Sequence, residues 1–321
     1  MQKIEISHRT IIFTIAFLAV LWALYQIRGV ILLVFISVIL MSALNPGVDW
    51  LERWRIPRVV SILLFYVLIV AGVSGVIAIL IPPLVEQTSR LVAVTPQLID
   101  NLGLGTVDST LLIQQLGSVP SNVLKLAVGA VNNVIVVFTM LVFSFYLLLE
   151  RRNLKHHLTL AFGANDETRA EKFVDDIERQ LGRWVRGQLF SMTLVGVLCY
   201  VGLSLLGIEF ALPLAILAGL FEIIPNMGPI VSAIPAMIIA LATAPTLALG
   251  IAALYFVVQQ LQAQVITPTV MRQAVGFNPL VTMLALMAGY ALGGLAGAVL
   301  ALPVILVAKV TLSTWYNRSS S

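Results

Sequence analysis

The sequence predicts an all-α protein that crosses a membrane several times. Sixty percent of its 321 residues are hydrophobic, 11% are charged and the mean hydropathy is +1.01, which leaves too little polar surface to coat a soluble globule. The apolar residues are gathered into about eight long runs, the pattern of a polytopic membrane protein. One feature separates these runs from inert anchors: Glu222 lies inside an apolar stretch, directly ahead of Pro225-Asn226-Met227-Gly228-Pro229. A charge at such depth costs at least ~2.5 kcal/mol. The two prolines and glycine interrupt a helix where only protein or a water-filled cavity can satisfy the freed backbone groups.

The elements follow in order. Lys3 and Arg9 precede the first run, but no small-residue cleavage site follows, so the first segment is expected to remain as a span. Ile11 to Tyr25 and Gly29 to Leu44 are short and meet at Gln26-Ile27-Arg28, which reads as a compact helical hairpin with Arg28 snorkelling to the far interface. Val59 to Ile81, Val123 to Glu150, Gly187 to Gly207 and Thr246 to Ile266 read as single spans. Ala211 to Thr243 and Pro279 to Leu312 are too long, since each would run ~50 Å as one helix against a ~30 Å core. Breaks at Pro225 to Pro229 and at Gly289 to Gly297 make both of them hairpins that enter and return. Cys199, the one cysteine, lies in an apolar run and reads as a packing residue.

Basic residues set the expected orientation. With the N-terminus inside, fifteen Lys and Arg residues fall in the cytoplasm and three, Arg28, Arg90 and Lys125, fall outside. Arg272 joins the inside set only if the sixth segment is a hairpin. The net charge of +4 then reflects loops beside anionic lipid and gives no reason to expect nucleic acid as a partner. Two regions read as lying outside the bilayer. From Pro82 to Ser121, Leu84, Val85, Leu91, Val92, Leu98 and Ile99 recur every seven residues, as in amphipathic helices that rest on a surface or a neighbouring subunit. Asn165 to Arg186 starts with acids, ends with bases and aligns Ala170, Phe173, Ile177, Leu181 and Trp184, which predicts an interfacial helix feeding the fifth span.

Several motifs in fixed order carry a resemblance. Asn45-Pro46-Gly47-Val48-Asp49-Trp50-Leu51-Glu52-Arg53 with Ile56-Pro57-Arg58, then Trp184-Val185-Arg186-Gly187-Gln188, Glu222 to Pro229, and Gln259-Gln260 leading through Thr267-Pro268 to Gly276-Phe277-Asn278-Pro279, resemble the AI-2E transporter family. That permease family is named for exporters of the quorum-sensing furanone autoinducer-2, and some members resemble sodium/proton antiporters. The resemblance implies a bacterial cytoplasmic (inner) membrane, cytoplasmic termini and a homo-oligomer, with a pentamer as the expected form. This chain departs from the pattern at Gln262, where relatives often carry glutamate after the paired glutamines, and at Asn278, where histidine is common. Both departures remove titratable groups and leave Glu222 as the main intramembrane acid.

The residues add an organisation of their own. The fifth span is followed by a hairpin from outside and the seventh by one from inside, so Gly187 to Thr243 and Thr246 to Leu312 read as an inverted repeat. The hairpin tips are expected to meet near the midplane and hold cargo there. The pathway would be lined by Glu222, Pro225, Asn226, Gly228, Pro229, Gln259, Gln260, Gln262, Gln264 and Pro268, with hairpin breaks at Gly289, Gly293, Gly294 and Gly297. The chain thus divides into an N-terminal hairpin and third span (1–81), an outer amphipathic region (82–122), a fourth span (123–150), a cytoplasmic linker and interfacial helix (151–186), a transport core (187–312) and a cytoplasmic tail (313–321).

Each polar feature has a plainer reading beside it. Glu222 could pair with a base such as Arg186. The glutamines could be interhelical glue and the GxxxG spacings close helix packing. Arg186 with Gln188 reads either as a gate or as an interface anchor. His156 and His157, beside Arg151, Arg152 and Lys155, read as a solvated turn and give no metal site. No cofactor is expected, and no His-Glu-x-x-His pair, Gly-x-Ser-x-Gly elbow or ATP-binding motif points to an enzyme or a motor. Three classes remain: a carrier of small polar cargo, a cation (sodium)/proton antiporter centred on Glu222, and an oligomeric scaffold docking through Pro82 to Ser121. The broken segments argue against the scaffold.

Overall fold

The computed structural model describes residues 8–101, 133–162, 167–268 and 279–319, all of them helices and their connections. Helix α1 (His8–Gln26) passes into α2 (Arg28–Arg53) through one residue, Ile27. The Ile27 amide donates to the Ala23 carbonyl at 3.0 Å, and its own carbonyl accepts from Ile31 at 3.0 Å. Helical bonding therefore runs through the joint, and one residue is too short a connection to reverse a helix. The compact hairpin expected from 11–44 does not form. Arg28 stacks its guanidinium 4.1 Å from the Tyr25 ring centre, and the side chains of α1 from Ile12 to Gln26 are exposed on every face.

Helix α3 (Arg58–Asn101) runs for 44 residues, ~66 Å at 1.5 Å per residue. The third span thus continues through Pro82 and Pro83 into the outer region without interruption. Residues 102–132, and the side chains of Leu91, Val92, Leu98 and Ile99 on which the amphipathic face rests, lie outside the described residues. Helix α4 (Val134–Phe162) is the fourth span, carried past Glu150.

Helix α5 (Glu167–Leu205) joins the expected interfacial helix and fifth span into one rod. Gly182 and Gly187 do not break it. Gly182 serves instead to let α2 approach, because a Cβ there would stand 2.6 Å from the Ser42 carbonyl oxygen. The sixth segment folds back on itself as expected: α6 (Ala211–Phe221) descends along α5, the chain breaks, and α7 (Gly228–Thr243) returns. After Ala244, which is extended, α8 (Pro245–Leu261) descends again and ends in a π-helical turn (Gln262–Ile266). These helices close around Val195, Cys199 and Leu203 of α5, Leu214 and Ala218 of α6, Ala236 and Ala240 of α7, and Ile251 and Val258 of α8. The many alanines and glycines are what helix packing in lipid demands, because apolar surface gains little by leaving lipid tails and close van der Waals contact must supply the attraction. Gly196 and Gly219 show it directly, with a Cβ on the first only 3.7 Å from the Cα of the second.

Helix α9 (Pro279–Ser319) is the second hairpin. Residues eight apart in a straight helix stand ~12 Å apart, yet a Cβ on Gly289 would press into the Gly297 carbonyl and stand 2.8 Å from the Ala301 Cβ. The reversal is at Gly293 (φ −145°, ψ 19°) and Gly294 (φ 60°, ψ −145°). Leu302 and Leu306 seat the second arm on Leu181 and Trp184 of α5, against Val38 and Ile39 of α2. The two hairpin tips do not meet, however. The tip of α9 is open, with Leu292 90% and Leu295 63% exposed, whereas Glu222, Pro225 and Gly228 in the tip between α6 and α7 are buried. Among the described residues, six helices are long and apolar enough to cross a membrane, and the folded α9 is one of them.

Candidate functional site

Two prolines and a glycine end α6 and restart the chain as α7, and Asn226 makes the turn with φ 69°, a left-handed conformation that asparagine tolerates. The turn brings backbone amides toward Glu222, the residue that caps the end of α6. Glu222 is 1% exposed, and its Oε2 accepts from the Gly228 amide at 3.3 Å while Oε1 accepts from the Asn226 amide at 3.4 Å. The carboxylate therefore sits on the N-terminus of α7, where unpaired N–H groups and the helix dipole favour negative charge.

Side chains complete the cage. Ser191 of α5 donates to Oε1 at 3.3 Å, and Gln262, the first residue of the π turn, donates to the same oxygen. Gln188, one turn before Ser191, donates to the Glu222 backbone carbonyl. Thr267 closes the rim by donating to Asn226 Oδ1 at 3.3 Å. No Arg or Lys pairs with Glu222 among the described residues, so the expected alternative of an Arg186 partner does not hold. Arg186 is exposed and its guanidinium lies back over Gly182. The cage is held by neutral donors alone.

Its acceptors are less well served. The Oε1 atoms of Gln188, Gln259 and Gln262 are buried without a hydrogen-bond partner among the described residues, as is the Tyr255 hydroxyl. Each such group costs ~1–3 kcal/mol when nothing meets it. A π turn at Gln262 is consistent with this, since π bulges are frequent where a helix aims side chains into a functional site. Along α5, Ser191 is fourteen residues from Leu205, and at 1.5 Å per residue this places the cage ~21 Å from that end of the bundle, past the middle of a ~30 Å core.

Of the residues expected to line a pathway, the fold gathers Glu222, Asn226, Gly228 and Gln262, joined by Gln188, which was expected as a gate or anchor; Gln259 is half-buried one turn before Gln262, Pro225 and Pro229 are buried in the break, and Pro268 is half-buried beyond the π turn. Gln260 of α8 and Gln264 of the π turn are exposed and do not reach the cage. Gly289, Gly293, Gly294 and Gly297 belong to the second hairpin, two as its packing contact and two as its turn. Arg272 and Asn278 lie outside the described residues. Ser191 escaped the sequence reading, although its spacing of three from Gln188 puts both on one helix face.

A second polar cluster was also missed. Arg58 at the start of α3 donates to the Leu148 carbonyl of α4 at 2.9 Å, to Asp49 at 2.9 Å, to Glu52 at 3.0 Å and to Asn45 Oδ1 at 2.9 Å. Asn45 passes the link to Glu178 of α5 at 2.8 Å, and Arg151 of α4 donates to the same carboxylate at 2.7 Å. Four helices are thereby pinned at one end. Beside the cluster lies a cavity of about 790 Å³ between α2 and α5, lined by Asn45, Asp49, Arg151 and Glu178 and reaching Arg186, two residues from Gln188.

The sequence is similar to known transport proteins. The chain is 26% identical over 314 residues to "Putative transport protein YrrI" of Bacillus subtilis, covering 91% of this chain and 89% of that one. It is 29% identical over 320 residues to YueF of the same organism, with the same transport designation, covering 92% and 84%. A similarly named relative, YhhT of Escherichia coli, is 24% identical over 312 residues, covering 92% and 87%. The model of AI-2E family transporters matches residues 11–317, nearly the whole chain, and the protein belongs to that family of multi-pass membrane proteins.

Proposed function

We propose that the chain carries a small polar molecule across the membrane through the α5–α8 bundle, with Glu222 as the group that meets the cargo. One observation carries the reading: a fully enclosed carboxylate is held by neutral donors, and the side-chain oxygens of Gln188 and Gln262, which bond around it, are buried with no donor among the described residues. A purely structural acid at this depth would be expected to have a base and satisfied neighbours. Cargo that brings its own N–H or O–H groups fits the unmet acceptors, and an autoinducer-2-like furanone, exported from the cell, is the form suggested by the family name. In this reading the protein is a bacterial inner-membrane exporter with cytoplasmic termini. A homo-oligomer, as a pentamer, would give the exposed α1 and α9 faces partners.

A second reading rests on the same oxygens. A carboxylate with amide carbonyls is an all-oxygen ligand set suited to a hard monovalent cation, which would make Glu222 the centre of a sodium/proton antiporter. Proteoliposome flux separates the two. Autoinducer-2 and sodium are compared under imposed ion gradients, with wild type and Glu222→Gln. The replacement keeps shape and hydrogen-bonding capacity but removes the charge, so at least a tenfold loss of flux is expected with insertion and fold intact. Normal flux of both solutes in the variant would leave Glu222 as a cap for α7 and nothing more.

A further inference from the structure

We propose that the Tyr255 hydroxyl is a second contact for the cargo, set about one helical turn from the Glu222 carboxylate, and that it selects cargo bearing a hydroxyl or a similar uncharged hydrogen-bonding group. The inference rests on the reading of the α5–α8 bundle as a transport route. Along α8 and the π turn that ends it, Tyr255, Gln259 and Gln262 lie on one side: at ~100° per residue Tyr255 and Gln262 stand ~20° apart in projection, with Gln259 within ~60° of both. The Tyr255 hydroxyl and the Oε1 atoms of both glutamines are buried without a hydrogen-bond partner among the described residues. Polar side chains that glue membrane helices together bond across to the next helix. These three oxygens bond nothing across the seam, so helix association does not account for them.

Ser232 of α7 fixes the height of the hydroxyl. It stands beside Tyr255 and lies one turn along α7 from Gly228, whose amide donates to the Glu222 carboxylate. Four residues at 1.5 Å each put the hydroxyl ~6 Å along the bundle from the cage, within the span of one small molecule. The Ser232 proton is committed to the Gly228 carbonyl at 2.9 Å, and no hydrogen bond joins Ser232 to Tyr255. Cys199 of α5 lies on the other side, in a core closed by Val195, Ala236 and Ile251. Toward the α7–α8 connection the same face of α8 continues as Ile251 and Ala248, 0% and 4% exposed. Tyr255 is therefore the last polar side chain on that face before an apolar layer.

The chemistry of these groups sets the selection. A phenol donates one hydrogen bond and accepts others, whereas the amide oxygens and the carboxylate only accept. A cargo hydroxyl can accept from Tyr255 and donate to a neighbouring oxygen in the same pose, so it meets both needs at once. A bare monovalent cation can meet only the acceptors. Packing gives no reason for the phenol oxygen, because phenylalanine would fill the same space without burying an unmet hydroxyl.

The test uses the full chain in proteoliposomes as wild type, Tyr255→Phe and Glu222→Gln, with autoinducer-2 as the hydroxyl-bearing probe and sodium as the comparison. The thermal unfolding midpoint of each protein is measured in detergent. Tyr255→Phe should raise the autoinducer-2 concentration for half-maximal flux about fivefold, leave sodium flux unaltered and keep or raise the midpoint. A loss confined to the maximal rate, an equal loss for sodium, or a lowered midpoint makes the hydroxyl structural and overturns the proposal. Loss of flux in Glu222→Gln beside wild-type behaviour of Tyr255→Phe overturns this inference alone. Wild type without autoinducer-2 flux also overturns it, and absence of sodium flux as well overturns the transport reading beneath it.

Discussion

Gln262 donates to the Glu222 carboxylate across 40 residues of chain, and the two side chains are 0% and 1% exposed. The bond joins two irregularities: the break between α6 and α7 on one side and the π turn after α8 on the other. Each of these segments has given up regular helical bonding, and each presents a polar side chain to the other. The rest of the bundle is closed mainly by apolar residues such as Val195, Leu214, Ala218 and Ile251, so its polar chemistry is concentrated at that seam.

Gln262→Leu tests whether the seam serves function or stability. Losing a donor to a charged group costs ~1.5–3 kcal/mol, while removing an unpartnered buried oxygen returns ~1–3 kcal/mol. The variant should therefore unfold within ~1 kcal/mol of wild type in a denaturant titration. Flux of the wild-type cargo should nevertheless fall at least tenfold. A stable variant with undiminished flux would show that Gln262 is interhelical glue.

Gly228→Ala addresses the same cage from the backbone. A Cβ on Gly228 would stand 2.9 Å from Glu222 Oε2 and press into the Ala218 carbonyl. The carboxylate or the backbone must shift, at a cost of ~1–3 kcal/mol. Lower unfolding stability together with lost flux is expected, and an unchanged melting profile would mean that the turn is looser than this contact allows.

The fold was largely legible because hydrophobic run length is a direct readout of bilayer thickness, and Pro, Gly and buried Glu mark where a run must break. Both hairpins and the acid at the first tip follow from that. What sequence spacing could not reveal was which faces meet. Gln260 and Gln264 share a helix face as readily as Gln259 and Gln262 do, and only packing against α5 and α7 turns the latter pair inward. Short joints are equally opaque, since Gln26-Ile27-Arg28 resembles a turn in composition yet keeps its helical hydrogen bonds. Asn45, Asp49 and Arg58 were visible as a motif, but their role as a four-helix pin depends on Glu178 and Arg151, far along the chain.

Arg58→Ala should be among the most damaging single changes away from the cage. The side chain is 12% exposed and bonds α2 twice through acids, α2 again through Asn45 and α4 through a backbone carbonyl. Asp49 and Glu52 are 38% and 30% exposed, so water meets part of the lost charge, but the Asn45 oxygen and the Leu148 carbonyl lose their donor and the loss is expected to be ~1–3 kcal/mol. Arg58→Lys keeps the charge but not the planar fork and should recover only part of that loss. The measurement is unfolding stability in detergent for wild type and both variants. Equal stability of Lys and Arg at this position would show that charge alone, and not the four-way hydrogen bonding, holds the corner.

Neighbouring glycines at the second hairpin give an internally controlled test. Gly294 has φ 60° and ψ −145°, a combination that costs an L residue ~1–3 kcal/mol. Gly293 has φ −145° and ψ 19°, on the side of the map open to L residues, and both positions have open space where a Cβ would go. Steric crowding is thus absent at both, and any difference between them reports backbone conformation alone. Gly294→Ala should destabilise the protein by ~1–3 kcal/mol, while Gly293→Ala should change stability by less than ~1 kcal/mol. Cysteines placed at Met283 and Val307, one on each arm, provide the second readout, since straightening α9 would move them apart and change their labelling from opposite sides of the membrane. Equal stability of the two alanine variants, with labelling unchanged, would mean that the chain does not reverse at Gly294.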